Sequence, residues 1–289
     1  MDILSASRQM LRHDGSRSPM KPLSQSDFAL SKQGCLLPNG IRLAYVELGE
    51  RGGTPVLLLH GFTDSARSWS LVAPYLAAGL RLIAPDLRGH GHSDKPDGCY
   101  TIPELAHDLR LFLAELGIAQ ANIVGHSLGG RLAQALAERW PQIVRKIVLM
   151  STSAMPRERA GWLWNNIIGL GDPIDPYSDF VRAWCSGPVP VEEEFLFHVR
   201  RECAAVPARI WHSVYYEQTA YDPLPLLRDI SAPTLIMRGE HDDIATSEHQ
   251  SQMLAAISGA KLITLPGLGH NMHWEAPGLV AGHLRSFLQ

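Results

Sequence analysis

The pentapeptide Gly125-His126-Ser127-Leu128-Gly129 constrains this chain more than any other stretch. It follows a short apolar run, Ala121-Asn122-Ile123-Val124, and opens a helix-patterned run from Leu128 to Arg139. Glycines two before and two after the serine let a strand and a helix pass close together at a tight, strained turn. At such a turn the serine oxygen stands clear of the sheet, beside the positive end of the helix. There a base can reach it, and the Leu128 amide can donate to a developing oxyanion. A Gly-Ser-Gly loop without chemistry carries the same residues, so the rest of the chain has to decide.

The order of apolar runs around the turn is that of alternating strands and helices. Pro55 to Leu59 is continuously apolar, as expected of a central parallel strand buried on both faces, and it ends in His60-Gly61-Phe62. A helix is expected around Trp69 to Ala78, then a strand from Arg81 to Pro85 and a glycine-punctuated loop from Asp86 to Ser93. Thr101 and Glu104, with Pro103 between them, form a capping box. Leu105, Leu109, Phe112, Leu113 and Leu116 then recur at helical spacing. After the helix stopped by Pro141, Lys146 to Met150 reads as a strand. Ahead of all these, Cys35 to Leu48 alternates around Asn39-Gly40 and reads as a hairpin of two edge strands. The pattern predicts an α/β fold: a mostly parallel sheet with helices on both faces.

From Ala154 to Arg228 the rhythm breaks. Prolines are frequent, no strand pattern is evident, and aromatics crowd together, among them Trp162, Trp164, Trp184, Trp211 and Tyr215. Residues 154–228 therefore read as an inserted helical cap between two parts of one core, 27–153 and 229–289. In the second part, Thr234 to Arg238 and Lys261 to Leu265 are strands on either side of a helix opened by Thr246. A last helix places Val280, Leu284, Phe287 and Leu288 on one face.

Composition removes several classes of function. The 26 basic and 29 acidic residues give a net charge of −3, spread along the chain with no basic run, so no nucleic-acid partner is expected. No apolar stretch approaches the ~20 residues needed to cross a bilayer, so no membrane partner is expected either. Cys35, Cys99, Cys185 and Cys203 are far apart, which suits reduced packing thiols in a cytoplasmic protein better than a disulfide framework. A monomer or homodimer is expected. Residues 1–26, rich in Ser, Arg, Lys and Pro without a continuous apolar region, read as a mobile tail, with a transit peptide as the alternative.

A neutral hydroxyl needs a base and an orienting acid to become a nucleophile. His270, in Gly267-Leu268-Gly269-His270-Asn271 directly after the last strand, is the candidate base for Ser127. The acid is expected after the Thr234–Arg238 strand, where Glu240, Asp242 and Asp243 compete. The end of the preceding strand reads Ser151-Thr152-Ser153 and offers no carboxylate. Phe62, just after a strand end, is placed to supply a second oxyanion donor besides Leu128. Asp64, Ser65 and Trp69 are expected at the mouth of the site. Asp86, Arg88, His90 and His92 look like ligands but suit a structural loop, and Arg131 is given no catalytic role. His270 and His273 lack a third ligand at a recognisable spacing, so no metal site is expected.

In this order, His60-Gly61-Phe62, Asp86-Leu87-Arg88-Gly89-His90-Gly91-His92-Ser93, Gly125-His126-Ser127-Leu128-Gly129-Gly130, Gly239-Glu240-His241-Asp242 and Gly269-His270 make the chain from about residue 33 onward resemble the α/β-hydrolase superfamily. The resemblance implies an eight-stranded sheet, a cap over the site, no cofactor, and a Ser-His-Asp triad working through an acyl-enzyme. The family's spacing puts the acid three residues after the glycine, which selects Asp242 ahead of Asp243 and Glu240. Serine at the elbow argues against the dehalogenases and epoxide hydrolases of the superfamily, which use aspartate there. The carbon–carbon hydrolases usually carry Gly-Asn-Ser at the elbow and a tryptophan after the catalytic histidine, where this chain has His126 and Asn271. The expected substrate is a small carboxylic ester or lactone, apolar or aromatic, held by Asp64, Trp69, Trp162, Trp164, Trp184 and Tyr215. Carbon–carbon hydrolysis, cofactor-free haloperoxidase or perhydrolase activity, acyl transfer and ligand sensing are the alternatives.

Overall fold

A strand with no polar alternation must be covered on both sides, and the run after Gly53 meets that requirement. In the computed structural model it forms β3 (Thr54–Leu59), whose Val56 to Leu59 are all buried. Leu57 and Leu59 enter one hydrophobic core and Val56 and Leu58 the other, on opposite faces of the sheet. The structure describes residues 23–98, 100–156 and 158–289.

Eight strands make one sheet: β1 (Gln33–Leu36), β2 (Arg42–Gly49), β3, β4 (Leu80–Pro85), β5 (Ala121–His126), β6 (Val144–Met150), β7 (Thr234–Gly239) and β8 (Lys261–Leu265), in the order β1-β2-β4-β3-β5-β6-β7-β8. β2 runs antiparallel to both β1 and β4, and the remaining pairs are parallel. The expected hairpin is present, but only β1 is an edge; β2 lies inside, between β1 and β4.

The helices are α1 (Gln25–Leu30), α2 (Ala73–Leu76), α3 (Ile102–Glu115), α4 (Leu128–Arg139), α5 (Gly161–Ile168), α6 (Asp179–Trp184), α7 (Glu193–Ala204), α8 (Ala208–Ala220), α9 (Ser247–Ala256), α10 (Met272–Glu275) and α11 (Pro277–Leu288). Helix α3 starts at the Thr101/Glu104 capping box, and α4 has the bounds that the sequence suggests. The single helix expected around Trp69 to Ala78 is instead a 3-10 turn, Ala66–Trp69, followed by α2. Pro74 explains the break, because it has no N–H to continue a helix and is tolerated only in a first turn. Residues 154–228 hold α5 to α8 and all but the last residue of a 3-10 helix, Leu224–Asp229, with no strand among the described residues.

The expected tail overlaps α1. Ser24 caps that helix through the Asp27 amide, Phe28 is buried, and the guanidinium of Arg67 donates to both the carbonyl and the side chain of Gln25. Residues 1–22 lie outside the described residues, as does Cys99. Cys35, Cys185 and Cys203 are buried free thiols. No helix among the described residues is long and apolar enough to cross a membrane.

Candidate active site

Ser127 sits where β5 turns into α4, at φ +52° and ψ −113°. A side-chain-bearing residue held there costs about 1–3 kcal/mol and persists only where its surroundings fix it. The fixings are visible. The Ser127 amide donates to the Met150 carbonyl at 2.9 Å, and the Thr152 hydroxyl donates to the Ser127 carbonyl at 2.7 Å. The flanking glycines are required by close approach. A Cβ on Gly125 would lie 2.2 Å from the Gly129 oxygen, and one on Gly129 would lie 2.3 Å from the Leu59 oxygen.

His270 follows β8 on a loop tied down by its neighbours. Glu275 accepts from the Gly269 amide at 2.7 Å, and the His241 amide donates to the Leu268 carbonyl at 2.8 Å. The His270 Nδ1 lies 2.9 Å from Asp242 Oδ1, which also accepts from the amides of Ile244 (3.0 Å) and Ala245 (2.8 Å). Burial of Asp242 favours its neutral form. The charge and hydrogen bond of His270, with the Ala245 amide, outweigh that and hold the carboxyl down at about 2. Asp242 is therefore ionised, which makes His270 Nδ1 the donor; in the neutral ring Nε2 is then the basic nitrogen. The competing carboxylates face elsewhere: Asp243 is exposed on the cavity rim, and Glu240 accepts from the Gly267 amide at 2.9 Å.

Two main-chain donors border Ser127. Among the described residues, the amides of Phe62 and Leu128 make no hydrogen bond to protein. The segment carrying Phe62 is set by Thr63 at φ +65°, whose hydroxyl accepts from the Trp184 indole at 2.8 Å. A hydrogen bond from the Gly129 amide to the His60 carbonyl (3.1 Å) joins the ends of β3 and the elbow.

Two cavities meet at Ser127. The larger, about 350 Å³, is also lined by Asp64, His126, Trp162, Trp184, His270 and Trp274. The smaller, about 40 Å³, is lined by Ser151, Thr152, Ser153, Tyr215, Gln218 and Thr219, and by Arg131 from α4. Phe62, Leu163, Trp184 and Ile244 border both. The structure thus brings Ser127, His270, Phe62, Asp64, Trp162, Trp184 and Tyr215 to these cavities, with Asp242 directly behind His270.

Trp69 and Trp164 line neither cavity. Trp69 is buried on the far face of the sheet, its ring 5.1 Å from that of His273, because the turn ending at Trp69 points inward. Trp164 packs behind the wall, its ring stacked 6.0 Å from that of Tyr215. Residues Asp86, Arg88, His90 and His92 serve their loop. Asp86 takes an ion pair from Lys32 at 2.7 Å and the His92 amide at 2.7 Å, and Arg88 pairs with Asp108.

Behind the cavity lies a polar group that the sequence reading did not assemble. His126 Nε2 meets the His270 carbonyl at 3.0 Å, and its ring lies 4.3 Å from that of the buried His273. His273 Nε2 meets the Ser68 hydroxyl at 2.9 Å, which also accepts from the Trp274 indole at 2.9 Å and contacts Asp64 Oδ2 at 3.3 Å. Burial lowers His126 to about 3 and pushes the Asp64 carboxyl up to about 7, against the pull of Ser68 and His270. No local pattern joins positions 64, 68, 126, 270, 273 and 274; only the fold does.

The sequence model of the Alpha/beta hydrolase family matches residues 56–283. Over 120 residues the chain is 39% identical to an uncharacterized protein of Mycobacterium tuberculosis, a match that covers 42% of this chain and 35% of that one. The chain thus spans about a third of the length of that relative. A hydrolase from Pseudomonas aeruginosa superposes with a TM-score of 0.80 at 27% identity, over 89% of this chain and 98% of the other. The enol-lactonase from Burkholderia xenovorans superposes with a TM-score of 0.77 at 25% identity, over 89% and 99% of the two chains.

Proposed function

Because this chain belongs to the alpha/beta hydrolase family, we propose that it is a serine hydrolase that cleaves a small carboxylic ester or lactone through an acyl-enzyme. The observation that carries the reading is the buried, ionised Asp242 on Nδ1 of His270, in the cavity onto which the strained Ser127 opens. The likeness to a hydrolase and an enol-lactonase supports the same chemistry.

Ser127 Oγ attacks the substrate carbonyl carbon while His270 Nε2 takes its proton. Asp242 keeps the imidazole in the required tautomer and stabilises its cationic form. The amides of Phe62 and Leu128 donate to the oxyanion, and one such donor is worth ~10²–10³ in rate. His270 then gives its proton to the leaving oxygen, and the carbon–oxygen bond breaks. A water deprotonated by His270 hydrolyses the acyl-Ser127 ester and restores the free hydroxyl. Residues 154–228 serve as the cap, inserted between 27–153 and 229–289. The exposed Trp162 at the mouth and Trp184 inside it suit an apolar or aromatic substrate.

Labelling with a fluorophosphonate, followed by peptide mass mapping, tests the reading. One adduct on Ser127 is expected in the native protein, with labelling strongly slowed in His270→Ala. No adduct on Ser127 contradicts it. With an aryl ester, a burst that stops after one equivalent makes the protein a ligand sensor, and transfer to an added alcohol makes it an acyltransferase.

A further inference from the structure

We infer that the two cavities divide the substrate at its scissile bond, so that the protein takes esters of short acyl groups, two to about four carbons long, with bulky alcohols. The inference rests on the serine-hydrolase reading and gives it a substrate class.

Stereochemistry fixes which part of an ester enters which cavity. When Ser127 has added to the carbonyl, the carbon carries the serine oxygen, the oxyanion, the leaving oxygen and the acyl chain. The oxyanion turns to the amides of Phe62 and Leu128. The leaving oxygen must come within hydrogen-bond reach of His270, which is its proton source. His270 lines the larger cavity and not the smaller. The alcohol part therefore occupies the larger cavity, and the acyl chain crosses Ser127 into the smaller one.

The sizes then set the preference. A volume of about 10–15 Å³ on this measure holds one water, so the smaller cavity, at about 40 Å³, takes a few heavy atoms. Its walls are firm. Ser151, Thr152 and Ser153 are buried at the end of β6, and the buried Thr219 is held by a hydrogen bond from its hydroxyl to the Tyr215 carbonyl at 2.8 Å. Forcing added methylenes into such a space costs typically about 1–3 kcal/mol. The larger cavity, at about 350 Å³, lies within the range of small-molecule sites and opens past Trp162.

The test is kcat/KM of the full chain on two ester series. In the first, 4-nitrophenyl acetate, butanoate, hexanoate and octanoate share one leaving group. In the second, phenyl and 1-naphthyl acetate share one acyl group and differ in alcohol bulk. We expect a fall of about a hundredfold or more from acetate to octanoate, and 1-naphthyl acetate to be turned over at least as well as phenyl acetate. Gln218→Ala, which cuts back a wall of the smaller cavity alone, is expected to raise the hexanoate-to-acetate ratio about tenfold. A flat or rising acyl-length series, or an unchanged ratio in Gln218→Ala, overturns the division of the site while leaving the hydrolase reading intact. No Ser127-dependent turnover of these esters overturns the division, and the same result with lactones as well overturns both.

Discussion

His126 Nε2 lies 3.0 Å from the main-chain carbonyl oxygen of His270. The residue before the elbow serine thus anchors the loop that carries the proposed base. His126 is buried and neutral, so the proton it needs for this hydrogen bond must reside on Nε2; its Nδ1 is buried without a partner. Removing the anchor with His126→Ala frees the His270 loop on one side only. A misplacement of about 1 Å can cost ~10² in rate, so kcat is expected to fall between about 10-fold and 100-fold with KM little changed. An unaltered kcat would mean that Glu275 and Asp242 hold His270 without help.

The proposed acid can be tested against its neighbour. Asp242 is buried and accepts from His270, whereas Asp243 is exposed. Asp242→Asn keeps the shape but favours the wrong imidazole tautomer, which in the template serine protease costs about 10⁴ in kcat. The same order is expected here, while Asp243→Asn stays within a few-fold of the native protein. Steady-state kinetics on one aryl ester with both variants decides it.

Asp64 is expected to give the fold an unusual pH dependence. Its carboxyl is raised to about 7, from an ordinary value of about 3.9. Between those values the unfolded chain releases the proton and the folded protein keeps it, so this group destabilises the fold increasingly from pH 4 to pH 7 and by a constant amount above. Asp64→Asn removes the titration. Denaturant unfolding should find the variant's advantage over the native protein absent near pH 4 and largest at pH 8. An advantage that does not change with pH would contradict the assignment.

The glycines of the elbow are expected to tolerate no side chain. A Cβ on Gly129 would press on the Leu59 and His60 carbonyl oxygens, at 2.3 and 2.7 Å, and neither is the end of a flexible side chain. Gly129→Ala should lose about 1–3 kcal/mol of stability, read as a lower denaturation midpoint with an unchanged slope.

These cases also mark how far the sequence could be read. The turn at Ser127, the loop at His270 and the strands were legible because each is written in consecutive residues: glycine spacing, a turn after an apolar run, a run with no polar alternation. Choosing Asp242 over Asp243 drew on the family's spacing, and what separates the two in space, burial and a hydrogen bond to His270, appears only in the fold. Trp69 is expected at the mouth of the site, yet it lines neither cavity. Which way a short 3-10 turn faces depends on Pro74 and on the packing of Trp69 against His273, from the other end of the chain. The contacts of His126, Ser68 and His273 were beyond reach for the same reason, since they join residues up to 206 positions apart. Likewise the start of α1 rests on one cap and one buried ring, Ser24 and Phe28, at the end of a segment whose composition is that of a tail.

Turnover of a panel of aryl esters and lactones by the native protein beside Ser127→Ala addresses the central claim most directly. The account predicts multiple turnovers by the native protein on at least one member and a loss of ~10⁴ or more in the variant. Equal activity in the two proteins would contradict it.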